Sequence, residues 1–288
     1  LAKSGLYLDP PGFGILFGSQ DISQIVYFAG IVSNYIALVL CAWGVSLAID
    51  EFDQELPEIY SLSGGILCFL SVHSQQHILT GLTEGWSWVL IAFGFLFYLR
   101  RSRIGLSIIL SLSVIQREII LVIFGIFAFV TIFLDVKDMD RIQWDEIRFE
   151  LYVFTLSVVG FSIYILMRTV LIPVPGAESQ LTASVLLTNL LSPDITLKLL
   201  LGTFYVQNIL FLYIFGGLWL FINYGSFNVD RHFFYHIIFS FIGILIIGLA
   251  AGIGNNIGRI SGLLTPLSAT LVPPLFYSLR EKSDHDVT

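Results

Sequence analysis

Four charged residues stand in or beside long apolar runs: Glu84, the doublet Arg117-Glu118, and Arg259. A charge inside or at the end of a membrane helix is expensive, so such positions are functional candidates by default. Glu84 lies in Leu82-Thr83-Glu84-Gly85-Trp86 and leads directly into an apolar helix. A carboxylate there can take a proton from a hydroxyl as a general base. The competing reading is a helix start, with Thr83 as the cap and Glu84 favoured by the helix dipole. Arg117-Glu118 interrupts the apolar run 104–134. A guanidinium is a planar fork that takes phosphate oxygens two at a time, so Arg117 is a candidate phosphate ligand. The alternative is a charge pair that satisfies itself at the membrane surface. Arg259 follows Gly254-Asn255-Asn256-Ile257-Gly258, where glycines let a ligand approach the backbone. A polar turn with Arg259 reaching to lipid head groups is the equal alternative.

Histidines form two pairs at i,i+4 spacing, His73/His77 and His232/His236. That spacing puts both rings on one helix face and can hold a metal. Membrane desaturases and hydroxylases need more histidines than the five present here. The bland reading, polar lining of a cavity, is preferred, and no metal site is expected. A divalent cation is the one cofactor left open. Cys41 and Cys68 both lie in apolar stretches and read as small core residues rather than a disulfide framework. No nucleotide loop, nucleophile elbow or metalloprotease motif occurs.

The elements that must position these residues follow from composition. Of 288 residues, 56% are hydrophobic and 12% charged, with mean hydropathy +0.86. A soluble domain carries about 25% charged residues, so this chain cannot clothe a water-facing surface. The reading is an all-α, polytopic transmembrane helix bundle, one domain over 1–288. Fourteen Lys and Arg against twenty-one Asp and Glu leave no basic stripe, which excludes a nucleic-acid partner. The apolar runs are continuous rather than alternating, which excludes an outer-membrane barrel.

A bilayer core of about 30 Å needs roughly 20 apolar helical residues. Segments 25–49, 151–172, 203–222, 232–252 and 260–278 meet that simply. The run 66–99 reads as two helices meeting near Gly81, and 104–134 as two halves meeting at Gln116-Arg117-Glu118. About nine membrane helices are expected, short or broken at 66–99 and 104–134. The segment 173–202 reads as an outer loop whose stretch 181–191 lies as an interfacial helix. Nine of the fourteen basic residues, among them Arg100, Arg101 and Arg103, fall on one side, which makes that side cytoplasmic. Glu84, Arg117, 173–202 and Arg259 then share the outer face. The acid-rich stretch 50–58 falls inside, against the grain of the same assignment.

The motifs also have a familiar order. Asp9-Pro10-Pro11-Gly12-Phe13 precedes a membrane helix, Leu82-Thr83-Glu84 opens another that ends in Arg100-Arg101, Gln116-Arg117-Glu118-Ile119 follows a short helix, and Gly258-Arg259 precedes a last helix containing proline. This order resembles the GT-C superfamily of membrane glycosyltransferases, the bacterial mannosyltransferase-like enzymes that use polyprenyl-phosphate sugars. The resemblance covers nearly the whole chain in motifs of two to five residues. It implies a multi-pass protein of a bacterial inner membrane that moves a sugar from a polyprenyl-phosphate donor to an acceptor at the extracytoplasmic face. Arg117 and Arg259 would bind the donor phosphate. Glu84 and, less well matched, Asp9 would be the catalytic acids, with Glu118, His73 and His77 in support. The resemblance further implies a first helix and the family's catalytic Asp upstream of Leu1. "QRE" stands where the family has "TRE".

Two other classes compete. A transporter or channel would line a path with the broken helices, but such proteins usually show related halves and none is visible here. An accessory membrane subunit would use the same polar residues for capping and packing alone.

Overall fold

A computed structural model describes residues 22–71, 84–138, 144–167 and 262–285, with a few isolated positions between them. Among these residues every regular element is a helix. They are α1 (Ile22–Phe52), α2 (Glu58–Leu70), α3 (Glu84–Leu99), α4 (Arg103–Gln116), α5 (Glu118–Asp138), α6 (Trp144–Leu166) and α7 (Thr265–His285), the last preceded by a 3-10 turn at Gly262–Leu264.

Side-chain pairings fix the direction of each helix. Trp86 Nε1 donates to Ser33 Oγ at 2.9 Å, Trp43 meets Phe93 edge-on, and Arg100 pairs with Glu51 at 2.7 Å, so α1 and α3 run parallel. Gly105 lies under the ring of Phe97 and Gly94 against Ile109, so α4 runs back along α3. Phe127 packs on Phe95 and Tyr98, and Tyr98 Oη lies 3.1 Å from Thr131 Oγ1, so α5 returns parallel to α3. Gly125 faces Ser157 and Phe129 faces Phe154, which makes α6 antiparallel to α5. Helix α2 runs antiparallel to α1 and to α7, with Tyr60 edge-on to Tyr277. The bundle thus has two ends. Glu84, Arg117 and the start of α7 define one, and Arg100 to Arg103 the other.

The core surrounds α3, where Trp88, Ile91 and Phe95 are fully buried. Several hydroxyls along the helices satisfy themselves locally. Ser113, Ser268 and Thr270, all buried, donate to the carbonyls of Ile109, Leu264 and Pro266 one turn back. This back-bonding removes a polar group from an apolar interior without a second helix.

The turns at the Arg100 end are tightly built. Arg101 closes α3 at φ 50, with Ser102 N bonded to Phe97 O and Arg101 N to Tyr98 O. This is a Schellman cap with arginine where glycine is usual. The side chain offsets its own backbone cost. Its guanidinium pairs with Glu150 at 2.9 Å, where Glu150 is only 3% exposed, and lies 5.7 Å from the Phe149 ring centre. The acid-rich stretch is explained here too. Glu51 pairs with Arg100, and Asp50 accepts a hydrogen bond from Ser61 at the start of α2. Acids and arginines share one end because they bind each other.

Three boundaries depart from expectation. Helix α2 starts at Glu58, not 66, and α6 at Trp144, not 151. In α2 an acid, Glu58, occupies the first turn, where the helix dipole favours it. Helix α7 begins after Gly262–Leu264 and continues to His285, beyond the apolar stretch. The expected count of about nine membrane helices is not reached among the described residues. Two helical stretches, Phe28–Phe52 and Ile147–Leu166, are long and apolar enough to cross a membrane. The apolar helices between them are shorter: α4 has 14 residues, about 21 Å at 1.5 Å per residue.

Candidate functional site

The sharpest feature at the Glu84 end is the reversal between α4 and α5. A single residue, Arg117, makes it, in extended backbone at φ −162 and ψ 114. Its N–H donates to Ser113 O at 2.9 Å, closing α4, and its carbonyl accepts from Ile120 N at 3.2 Å, opening α5. The main chain of Arg117 therefore caps two helices, and its side chain is half-buried. Arg117 follows a helix C-terminus and Glu118 begins a helix N-terminus, so each charge complements its dipole. That electrostatic fit serves a structural pair and a ligand site alike.

Glu84 is the first residue of α3. The antiparallel register of α3 with α4 brings Arg117 level with the first turn of α3, so Glu84 and Arg117-Glu118 share one end of the bundle. The neighbouring turn of α1 adds a residue that sequence reasoning missed. Asn34 is 2% exposed, and its Oδ1 would lie 3.1 Å from a Cβ placed on Gly85. A lone amide inside the apolar run of α1 was the available signal. Gly85 allows the α1 backbone this close, and Trp86 ties the same turn to Ser33.

From this end an open groove runs down the face between α5 and α6. Its volume is about 350 Å³, and Leu121, Gly125, Phe129, Phe154, Val158 and Phe161 line it. Leu121 is one turn beyond Glu118, so the groove begins beside the Arg117 reversal. Gly125 lets α5 and α6 approach closely at the floor of the groove, where a Cβ on it would lie 3.3 Å from Ser157 Cβ. Phe129 and Val158 on its rim are exposed.

Asp9, His73, His77 and Arg259 lie outside the described residues, as do His232 and His236 and the whole of 173–187. Among the described residues no group of three or more His, Cys, Asp or Glu is placed to hold a metal ion. What the described residues offer is Arg117 and Glu118 at the end of the bundle where α3 begins, with an apolar trough between α5 and α6 leading away from them. Comparison with protein-family models, with curated proteins and with solved structures finds no match.

Proposed function

We propose that the chain is a multi-pass membrane glycosyltransferase that moves a sugar from a polyprenyl-phosphate donor to an acceptor at the extracytoplasmic face of a bacterial inner membrane. The observation that carries the reading is Arg117 at the head of the α5–α6 groove. An isoprenoid tail does not leave the bilayer, so its protein must offer an apolar trough open to the side, ending in a cation for the phosphate. Apolar stripes face outward around the bundle as well. On α4 they comprise Ile104, Ile108, Leu112 and Ile115, with Ile104 78% and Ile115 81% exposed. Soluble monomers rarely expose such continuous patches, whereas lipid covers them at no cost.

In this reading the tail lies along α5 and α6 and the phosphate meets Arg117, joined by Arg259. Glu84 takes the proton of the acceptor hydroxyl. The acceptor oxygen attacks the anomeric carbon as the bond to the phosphate oxygen breaks, with inversion. The charge developing on the leaving phosphate is stabilised by the guanidinium.

The test is transfer from a polyprenyl-phosphate sugar by the full chain, with folding checked separately. Removing a group aimed at developing charge costs about 10²–10³ in rate, and Arg117→Ala is expected to lose that much. Arg117→Lys is expected to recover part of it, because an ammonium keeps the charge without the fork. His232→Ala leaves transfer nearly intact. Full activity in Arg117→Ala would refute the phosphate site.

A further inference from the structure

We infer that Cys41 and Cys68 are an oxidisable dithiol, a modification site at which a small peroxide converts two buried thiols into a bond locking α1 to α2. Cys41 lies on α1 and Cys68 on α2, 27 residues apart in the chain, and their Sγ atoms are 3.6 Å apart. Both are fully buried. No chance grazing of two helices brings them together. One turn before Cys68, a Cβ on Gly65 would lie 2.7 Å from Ser46 Oγ and 2.8 Å from Ala42 O, so the two backbones are already in contact beside Cys41. A disulfide between helices requires such an approach, because its Cα atoms must come within about 4.4–6.8 Å. The remaining adjustment, from 3.6 Å to a bond of about 2.05 Å, is within reach of side-chain rotation.

The chemistry balances with hydrogen peroxide as the two-electron oxidant. One thiol gives up its proton, its thiolate sulfur attacks a peroxide oxygen as the O–O bond breaks, and the hydroxide that leaves takes up that proton, so a sulfenic acid and one water result. The second sulfur attacks the sulfenic sulfur, the S–O bond breaks, and a second water leaves with the remaining thiol proton. Two thiols are oxidised and one peroxide is reduced to two waters. Peroxide is small and uncharged, which suits thiols that no bulky disulfide can reach. The lock falls in the last turn of α2, immediately before the chain leaves for 72–83 and Glu84. Oxidation would therefore tether the helix that leads into the candidate site.

The experiment uses the intact chain in lipid nanodiscs. It is treated with hydrogen peroxide, quenched, denatured and labelled with N-ethylmaleimide, then digested and read by mass spectrometry. The expected result is loss of maleimide from both cysteines together, a linked peptide joining Cys41 to Cys68, and return of both labels after reduction. Cys68→Ser is expected to stop at a sulfenic acid on Cys41, trapped by dimedone, with no linked peptide. Oxidation is expected to raise the thermal midpoint of the unsubstituted chain and to leave that of Cys41→Ala unchanged. Two cysteines that remain fully alkylatable after peroxide, or disulfides found only between separate molecules, would overturn the inference. The outcome in the unsubstituted chain decides it even where a variant folds poorly.

Discussion

Gly64 in α2 is the residue whose replacement best tests how this bundle is held together. A Cβ there would lie 2.9 Å from Ala269 O and 3.3 Å from Pro273 Cγ on α7, and would run into Ile49 Cδ1 on α1. None of the three can retreat cheaply. Ile49 is fully buried, the carbonyl is main chain, and Pro273 is fixed by its ring. Pro273 has no N–H, so Ala269 O lacks the usual bond from one turn ahead, and the bare α2 backbone lies against it. Overpacking of this kind costs about 1–3 kcal/mol. Replacing glycine by alanine within a helix gains about 0.8–1.0 kcal/mol of propensity. Three simultaneous contacts put the cost in the upper part of that range, about 2–3 kcal/mol, so the difference leaves Gly64→Ala destabilised by about 1–2 kcal/mol. Gly125 on α5 is the control, because a Cβ there meets only Ser157 Cβ at 3.3 Å and Ser157 Oγ at 3.9 Å. There the propensity gain is the larger effect, and Gly125→Ala is expected to be neutral or more stable by up to about 1 kcal/mol. The assay is the fraction of monodisperse protein surviving a temperature series, followed also by tryptophan fluorescence. Gly64→Ala matching or exceeding the unsubstituted chain would refute the close three-helix contact among α1, α2 and α7.

Two further outcomes follow from the groove and from the α3 cap. Val158→Trp fills the rim of the α5–α6 groove from an exposed position, so folding is expected to survive; displacing about two methylene groups of a bound tail, at about 0.8 kcal/mol each, raises the KM for a polyprenyl-phosphate sugar about tenfold with little change in kcat. An unchanged KM would separate the groove from the donor. At the cap, Arg101→Ala loses the charge-assisted bond to Glu150 and keeps an unfavourable backbone at φ 50, whereas Arg101→Gly loses the bond and relieves the backbone. Both are less stable than the unsubstituted chain, with Arg101→Gly above Arg101→Ala by about 1 kcal/mol in thermal or denaturant unfolding.

What could be read from the residues alone was whatever is local. The continuous apolar run of α1 and the charged doublet at 117–118 announce a long helix and a helix break, because composition and polarity decide both within a few residues. The break is a full reversal made by one residue, and this depends on where α4 and α6 pack, which no window around Arg117 contains. The start of α2 was hidden for a similar reason. Glu58 and the pair Gly64-Gly65 resemble loop residues until it is seen that Gly65 faces Ala42 and Gly64 faces Ala269. Glycine weakens a helix locally and strengthens the bundle where another backbone must come near. Acids cause the same ambiguity. Glu51, in the acid-rich stretch that ran against the orientation, has its partner Arg100 49 residues away in the chain, and the buried Glu150 has its partner Arg101 equally far away. Asn34 is the converse case: one amide among apolar neighbours in sequence, but in space the wall of the turn that begins with Glu84. The chemistry-bearing residues of this chain were visible as violations of local expectation. Their meaning rests on which helix end each violation shares, and that is set by small residues and ion pairs far from it in sequence.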